Sequence, residues 1–326
     1  MQSMVEGACR KRRACRLPPP PAFGRSPSPD GEERARAARA PSRNPAIVPP
    51  MHTPTPTPGA DFDLVLSYPQ WQGSGRAQHL PRGAAAAARV CARYGPTAAV
   101  PLSDDGEPPK SEAGGVNRWT AILDQFRAAQ AILGAHDPRR VLTAGGDCAC
   151  DVAVIDHLRR RHPDLTVIWI DAHLDANTPH TSPSGDFHGM PVAALMGRAP
   201  ADLAPLLATP PLPPSRFRYL AAHLGDPGER AFQRDHGLTW LQPGEAITGP
   251  VHVHFDLDAL DPAQFPHVAY PEGRLTLEDA LAQVRALAAT ADLVGFTITE
   301  FAPADEAAAR AGAAVLERIC EAALGR

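Results

Sequence analysis

The sequence predicts an α/β fold, with a parallel sheet covered by helices on both faces. Two observations carry this. Strand-like and helix-like segments alternate from residue 61 to the end of the chain, as βα units do. One strand-like segment, "LTVIWIDAH" at 165–173, is a continuous apolar run, as expected of a strand buried on both faces. A chain of 326 residues is long enough to bury one large α/β core.

The elements follow in order. "DFDLVLSYP" (61–69) reads as the first strand, and "GAAAAARVCARYG" (83–95) as a helix ending at Gly95. "TAAVPLS" (97–103) is a short strand. "NRWTAILDQFRAAQAILGAH" (117–136) has apolar residues at helical spacing. "RRVLTAGGD" (139–147) is a strand running into a turn, and "CACDVAVIDHLRRRH" (148–162) continues as a helix. After the buried strand, "HGMPVAALMG" (188–197) reads as helical. "RFRYLAAH" (216–223) and "VHVHFDLDAL" (251–260) read as strands, "LTLEDALAQVRALAAT" (275–290) as a helix, "DLVGFTITEF" (292–301) as a strand and "DEAAARAGAAVLERICEAAL" (305–324) as the closing helix. The Pro-rich stretch 199–215 is a surface connection.

Residues 1–60 have a different texture, with 13 of the 37 prolines and the run "MHTPTPTPGA". Such a composition buries too little apolar surface to offset chain entropy, so this segment is expected to be disordered, and residues 61–326 to form the folded domain. Met51 offers an alternative start. Residues 1–50 carry ten Lys/Arg against four Asp/Glu, so a basic tail or transit-like segment is the other reading. The whole chain has a net charge of −4, which gives no reason to expect nucleic acid or a membrane surface as partner. The six cysteines are irregularly spaced, and no apolar run approaches the ~20 residues of a membrane span. A reducing cytoplasm is the expectation.

Ligands of such folds bind beyond the carboxyl ends of the strands, so the residues there matter most. "VLTA" is followed by Gly145, Gly146, Asp147 and Cys148; "VIWI" by Asp171, His173, Asp175 and Asn177; "VHVHF" by Asp256 and Asp258; "VGFTIT" by Glu300. In an extended chain, residues i, i+2 and i+4 share a side. Asp171, His173 and Asp175 then face one point, as do Asp256 and Asp258. One DxD after a strand is ordinarily a solvated loop or a helix cap. Four carboxylates and an imidazole at one sheet mouth are costly to bury without a cation. They point to one or two divalent metals, with Mn²⁺ suited to the oxygen-rich set.

The blocks "GGDC", "DAHLDANTP", "SPSGDFHGMP", "HFDLDALDP" and "TITEFAP" resemble, in this order, the signature blocks of the ureohydrolase (arginase/agmatinase) family, over roughly residues 61–326. The resemblance implies a three-layer α/β/α sandwich with a mainly parallel sheet. It also implies hydrolysis of a guanidino compound to urea at a two-manganese centre, by hydroxide formed between the metals. Asp171 and Asp256 then bridge the metals; Asp175 and Cys148 complete one site; His173 and Asp258 complete the other. Glu300 matches the guanidinium-binding glutamate and His188 the mobile acid/base histidine. Asn177 and Ser184 match contacts to the substrate's α-carboxylate, and Asp226 a contact to its α-amine; "GDPGE" is equally a plain turn into a helix. Tyr270 is placed at the substrate rim or as a structural aromatic. The family commonly forms trimers or hexamers.

The chain departs from the family at Cys148, where histidine is usual. A thiolate is softer than imidazole and adds negative charge, which leaves occupancy of that site open and widens the substrate choice. Arginine to ornithine is the main expectation, with Nω-hydroxy-arginine, another guanidino acid or agmatine as alternatives. Two rivals remain. One is a relative with the fold but no catalysis. The other is a zinc deacetylase, which needs adjacent histidines; no "HH" occurs in this chain. Cys150 is expected only to pack.

Overall fold

A computed structural model describes residues 60–103 and 115–326. The expectation of disorder for residues 1–60 falls almost entirely outside the described residues.

Seven strands form one sheet, β1 (Leu64–Tyr68), β2 (Thr97–Ala99), β3 (Val141–Gly145), β4 (Thr166–Ile170), β5 (Phe217–Leu220), β6 (Pro250–Asp256) and β7 (Asp292–Thr299). Their order is β2-β1-β3-β7-β6-β4-β5, and every pairing is parallel. The sheet is therefore wholly parallel.

Alternation along each strand splits the core in two. On one face Leu64, Leu66, Val141, Val167, Trp169 and Phe217 pack with helices α2 (Trp119–His136) and α3 (Asp151–Arg161). On the other, Val65, Leu142, Ile168, Val253 and Phe255 pack with α1 (Leu80–Cys91), α6 (Leu277–Thr290) and α7 (Glu306–Ala323). Two apolar layers around a two-sided sheet explain why the strands read as unbroken apolar runs.

The elements fall where the sequence puts them, with two differences. The stretch 188–197 holds the end of a 3₁₀ turn (Phe187–Gly189), a short α4 (Pro191–Ala193) and a π-helical turn (Ala194–Arg198), which Gly197 breaks at φ 88°. A further helix, α5 (Pro227–Asp235), follows the "GDP" turn. The connection at 199–215 is pinned to α3, where Asp156 accepts from the Ala208 and Thr209 amides (2.9 and 3.0 Å).

Two glycines, Gly145 at the end of β3 and Gly146 after it, set the entrance to the site. A Cβ on Gly146 would overlap the Gln70 carbonyl, so no side chain fits between the strand end and the 68–74 loop. Asp147 then accepts from Gln70 Nε2 (2.9 Å), the Gly73 amide (2.8 Å) and the Ala149 amide (3.0 Å). It caps the 3₁₀ turn Cys148–Cys150 and aims residue 148 across the sheet mouth.

Candidate active site

The carboxyl ends of β3, β7, β6 and β4, four adjacent strands, bring the strand-end residues together. Two groups of donor atoms each lie within 4.8 Å of one another: Cys148, Asp171, His254 and Asp256, and Asp171, His173 and Asp258. Asp171 belongs to both.

The strand-end side chains converge through turns, not through extended chain. Residues 171–173 turn as soon as β4 ends. Asp171 Oδ1 accepts from the His173 amide (2.6 Å), and Asp256 Oδ1 from the Asp258 amide (2.6 Å). Each carboxylate thus holds the residue two positions on. Asp175 takes φ 48°, a left-handed conformation that only a constrained non-glycine residue keeps. Its side chain lines the pocket outside both donor groups.

The inner group is fully buried. Cys148 Sγ donates to Asp256 Oδ2 (2.9 Å) and lies 3.6 Å from Thr299 Oγ1. Trp169 Nε1 donates to Asp171 Oδ2 (3.0 Å). In the outer group, His173 Nδ1 sits 3.0 Å from Asp258 Oδ2 and 3.4 Å from Asp171 Oδ1.

Titration in the pocket follows from burial and like charge. Burial, then Asp171, pushes Asp258 up to about 7. Burial also raises Asp256, with Asp258 adding to it, and Asp175, with Asp171 adding to it. Burial raises the Cys148 thiol, and Asp256 raises it further. Burial opposes the charged forms of Asp171 and His173, but their mutual hydrogen bonding and charge outweigh it: Asp171 falls and His173 rises. Asp175 Oδ2 and Glu300 Oε2 are buried and find no hydrogen-bond partner among the described residues. Unpartnered buried carboxylate oxygens among carboxyls that burial and like charge raise fit a site completed by cations and a cationic ligand.

The cavity in front has a volume of about 280 Å³. Glu300, buried and at φ 61°, lies beside the lining residue His188, whose Nδ1 is 3.8 Å from Glu300 Oε1. The 68–74 loop holds His188 in place, with the His188 amide donating to the Gly73 carbonyl (3.0 Å). The imidazole stacks on Tyr270 at 5.3 Å. Burial holds His188 down to about 4, so it is neutral at pH 7. Tyr270 stands at the rim, its ring also 6.0 Å from His173.

The far wall carries Asn177, Ser184 and Asp226. Asn177 Nδ2 donates to Asp226 Oδ2 (2.9 Å). Asp226 Oδ1 accepts from the Gly228 and Glu229 amides (2.9 and 3.1 Å), capping α5. The turn-into-helix reading of "GDPGE" and the pocket position of Asp226 thus both hold. Ser184 Oγ accepts from the Asp186 amide (3.1 Å).

Sequence reasoning missed three residues. Glu229, the third residue of the capping box, lines the cavity, and burial raises it to about 7; D-P-G-E before a helix was its signal. His254 belongs to the inner donor group. Asp151 braces it: its Oδ2 accepts from His254 Nδ1 (2.9 Å) and His252 Nε2 (2.7 Å), and its Oδ1 from the Thr297 hydroxyl (2.7 Å). Burial alone would raise Asp151, but the two imidazoles outweigh it and hold the carboxyl below the usual range. Cys150 is buried and faces Gly145, a packing position.

Residues 95–324 match the model of the arginase family. The chain is 35% identical over 206 residues to an arginase of Eremothecium gossypii, covering 56% of this chain and 50% of that one. It is 32% identical over 186 residues to human arginase-1, covering 50% and 58%. The chain thus spans about half the length of the curated relatives it matches. In fold it is similar to the arginase of Bacillus caldovelox (TM-score 0.70, 22% identity, 81% of this chain and 98% of that one). It is also similar to the Entamoeba histolytica arginase solved with L-ornithine (TM-score 0.68, 18% identity, 82% and 99%).

Proposed function

Because the chain belongs to the arginase family, we propose that it hydrolyses the guanidino group of an arginine-like amino acid, releasing urea, at a centre of two divalent cations. The observation that carries this is the pair of donor groups sharing Asp171: their members Cys148, His173, Asp256 and Asp258 line one cavity with His188, and Glu300 lies beside His188.

Cys148, Asp171 and Asp256 would hold one cation and Asp171, His173 and Asp258 the other, with Asp175 at the pocket wall beside them and Mn²⁺ as the ion the family suggests. When bound, the cations supply Lewis acidity that brings a water's pKa near neutrality. The protein's own residues do the rest. Glu300, raised by burial and by Asp147 in the free protein, becomes a carboxylate opposite a guanidinium, which its unpartnered Oε2 can meet in a charge-assisted pair. This would orient the planar guanidinium toward the cluster of carboxylates. His188, neutral before reaction, takes up a proton as the nucleophile forms and delivers it to the departing amine. Tyr270, stacked on it, holds the ring over the cavity.

Asn177 and Ser184 sit where an α-carboxylate would be bound, and Asp226 where an α-amine would be. An amine without the carboxylate, such as agmatine, leaves Asn177 and Ser184 without that partner. The same proposal places the protein in the cytoplasm as a homo-oligomer, a trimer or hexamer. Among the described residues no helix is long and apolar enough to cross a membrane.

The test is the purified protein reconstituted with Mn²⁺ and offered arginine, Nω-hydroxy-arginine, other guanidino acids and agmatine. Urea or hydroxyurea from an α-amino guanidino acid is expected. Less than one bound metal per chain with no product from the panel would instead indicate a non-catalytic relative.

A further inference from the structure

We infer that the buried cation is held by His254 Nε2 together with Cys148, Asp171 and Asp256, a sulfur, nitrogen and oxygen donor set that selects a borderline ion such as Zn²⁺ or Co²⁺ over Mn²⁺. This rests on reading the cluster as a two-cation centre, and it assigns one of the two positions a ligand the family pattern does not provide.

The geometry begins in β6. His252, His254 and Asp256 alternate onto one face of that strand, so the row leading to Asp256 has an imidazole immediately before it. His254 is wholly buried. Its ring lies flat on Trp169, with centroids 3.5 Å apart and planes 5° from parallel. Its Nδ1 meets Asp151 Oδ2 at 2.9 Å. Oδ2 is a carboxylate oxygen that also takes His252 Nε2 at 2.7 Å, and it accepts from both rings. Nδ1 therefore carries the proton, and Nε2 has a lone pair. A ring nitrogen of His254 lies within 4.8 Å of Cys148 Sγ and of donor oxygens of Asp171 and Asp256, and with Nδ1 turned to Asp151 that role falls to Nε2. A carboxylate behind one ring nitrogen and an acceptor site in front of the other is how proteins orient a metal-binding histidine.

Two neighbours support the arrangement. Asp151, which braces the ring, lies three residues after Cys148, so one turn supplies both the thiol and the brace. Thr299 Oγ1, 3.3 Å from Nε2 and 3.6 Å from Cys148 Sγ, can turn its proton to the sulfur when Nε2 is taken. Position 148 lacks the family's usual imidazole, and position 254 brings one to the same group from a different strand. With a thiolate and an imidazole among its donors, the inner position is softer than the oxygen-rich outer one.

The test is made in His173→Ala, where the partly exposed outer imidazole is gone and any imidazole on a bound ion must come from elsewhere. One equivalent of Co²⁺ is added and its ligands are read by X-ray absorption. One sulfur and one imidazole on cobalt are expected, with a thiolate-to-cobalt absorption band. Adding His254→Gln should remove the imidazole scattering and weaken cobalt binding by at least about tenfold, with circular dichroism showing a folded chain. Sulfur with oxygen donors alone would overturn the assignment while leaving the two-cation reading standing. No bound cobalt at all would overturn both. If the double variant does not fold, the imidazole count in His173→Ala decides by itself. In competition with equal Zn²⁺ and Mn²⁺ on the unsubstituted protein, Mn²⁺ retained beside the sulfur would overturn the ion preference.

Discussion

His173 and His254 share Asp171 as a neighbour and differ in nearly everything that fixes a side chain. His173 stands on the loop after β4, with its side chain 25% exposed and its Nε2 3.4 Å from Glu272, itself 59% exposed. His254 lies within β6, stacked on Trp169 and bonded to a carboxylate from the opposite helix layer. The outer half of the centre is thus made by loops laid over the sheet, and the inner half by the sheet and α3 themselves. Substitutions in the outer half should change function with little effect on folding. Those in the inner half should change both, because the same contacts hold the core.

The largest effect should come where the halves meet. Asp171→Asn removes a carboxylate common to both groups, so both cations should be lost and urea release should fall by at least about 10³-fold, the scale of several kcal/mol of charge stabilisation. Metal analysis and turnover check it together. Retention of one full equivalent would show that the halves are independent. His188→Ala touches neither donor group, and should lower kcat about 10²-fold with metal content unchanged.

The next contrast is in stability. Asp151→Asn leaves His252, His254 and Thr297 arranged around a group that cannot accept in the same way, and breaking a buried charged network costs about 3–5 kcal/mol. His173→Ala removes a partly exposed partner of Asp171 and Asp258 and should cost less, about 1 kcal/mol. Denaturant unfolding of the metal-free proteins measures both, and equal losses would dissolve the distinction between the halves.

The outer half was also the more legible in sequence. Asp171, His173 and Asp258 lie in the blocks that follow two apolar runs, and both signals are local; in the inner group Cys148 and Asp256 are legible in the same way, and His254 is not. His254 was hidden because a histidine inside "VHVHFD" reads as one more residue of a buried strand. Asp151 was hidden because an acidic residue in the first turn of a helix ordinarily complements the helix dipole. Their meeting depends on strand order: 103 residues separate them, and β3 and β6 are brought within reach only by β7 between them. The one available clue was the period of two linking His252, His254 and Asp256. Asp175 and Glu300 were found by position, but their left-handed backbones were not foreseeable from residue type.

The smallest effect is on pH dependence, and it tests whether the carboxylates are strained without cations. Asp258 is raised to about 7 from about 3.9 in an unfolded chain. Between those values the folded state binds more protons than the unfolded one, so stability falls as pH rises. Asp256, Asp175 and Glu300 are raised too, and carry the loss further up. His173, a base raised above its ordinary value, loses its contribution in the same direction above pH 6.5. His188, held down to about 4, works the other way, but only up to about pH 6.5. From pH 6.5 to 8 these shifts therefore agree. The melting temperature of the metal-free protein should fall across that range, and saturating divalent cation should remove the fall, because the carboxylates then gain a partner in their ionised form. A flat profile without metal would mean that the inner and outer groups are already satisfied by protein contacts alone.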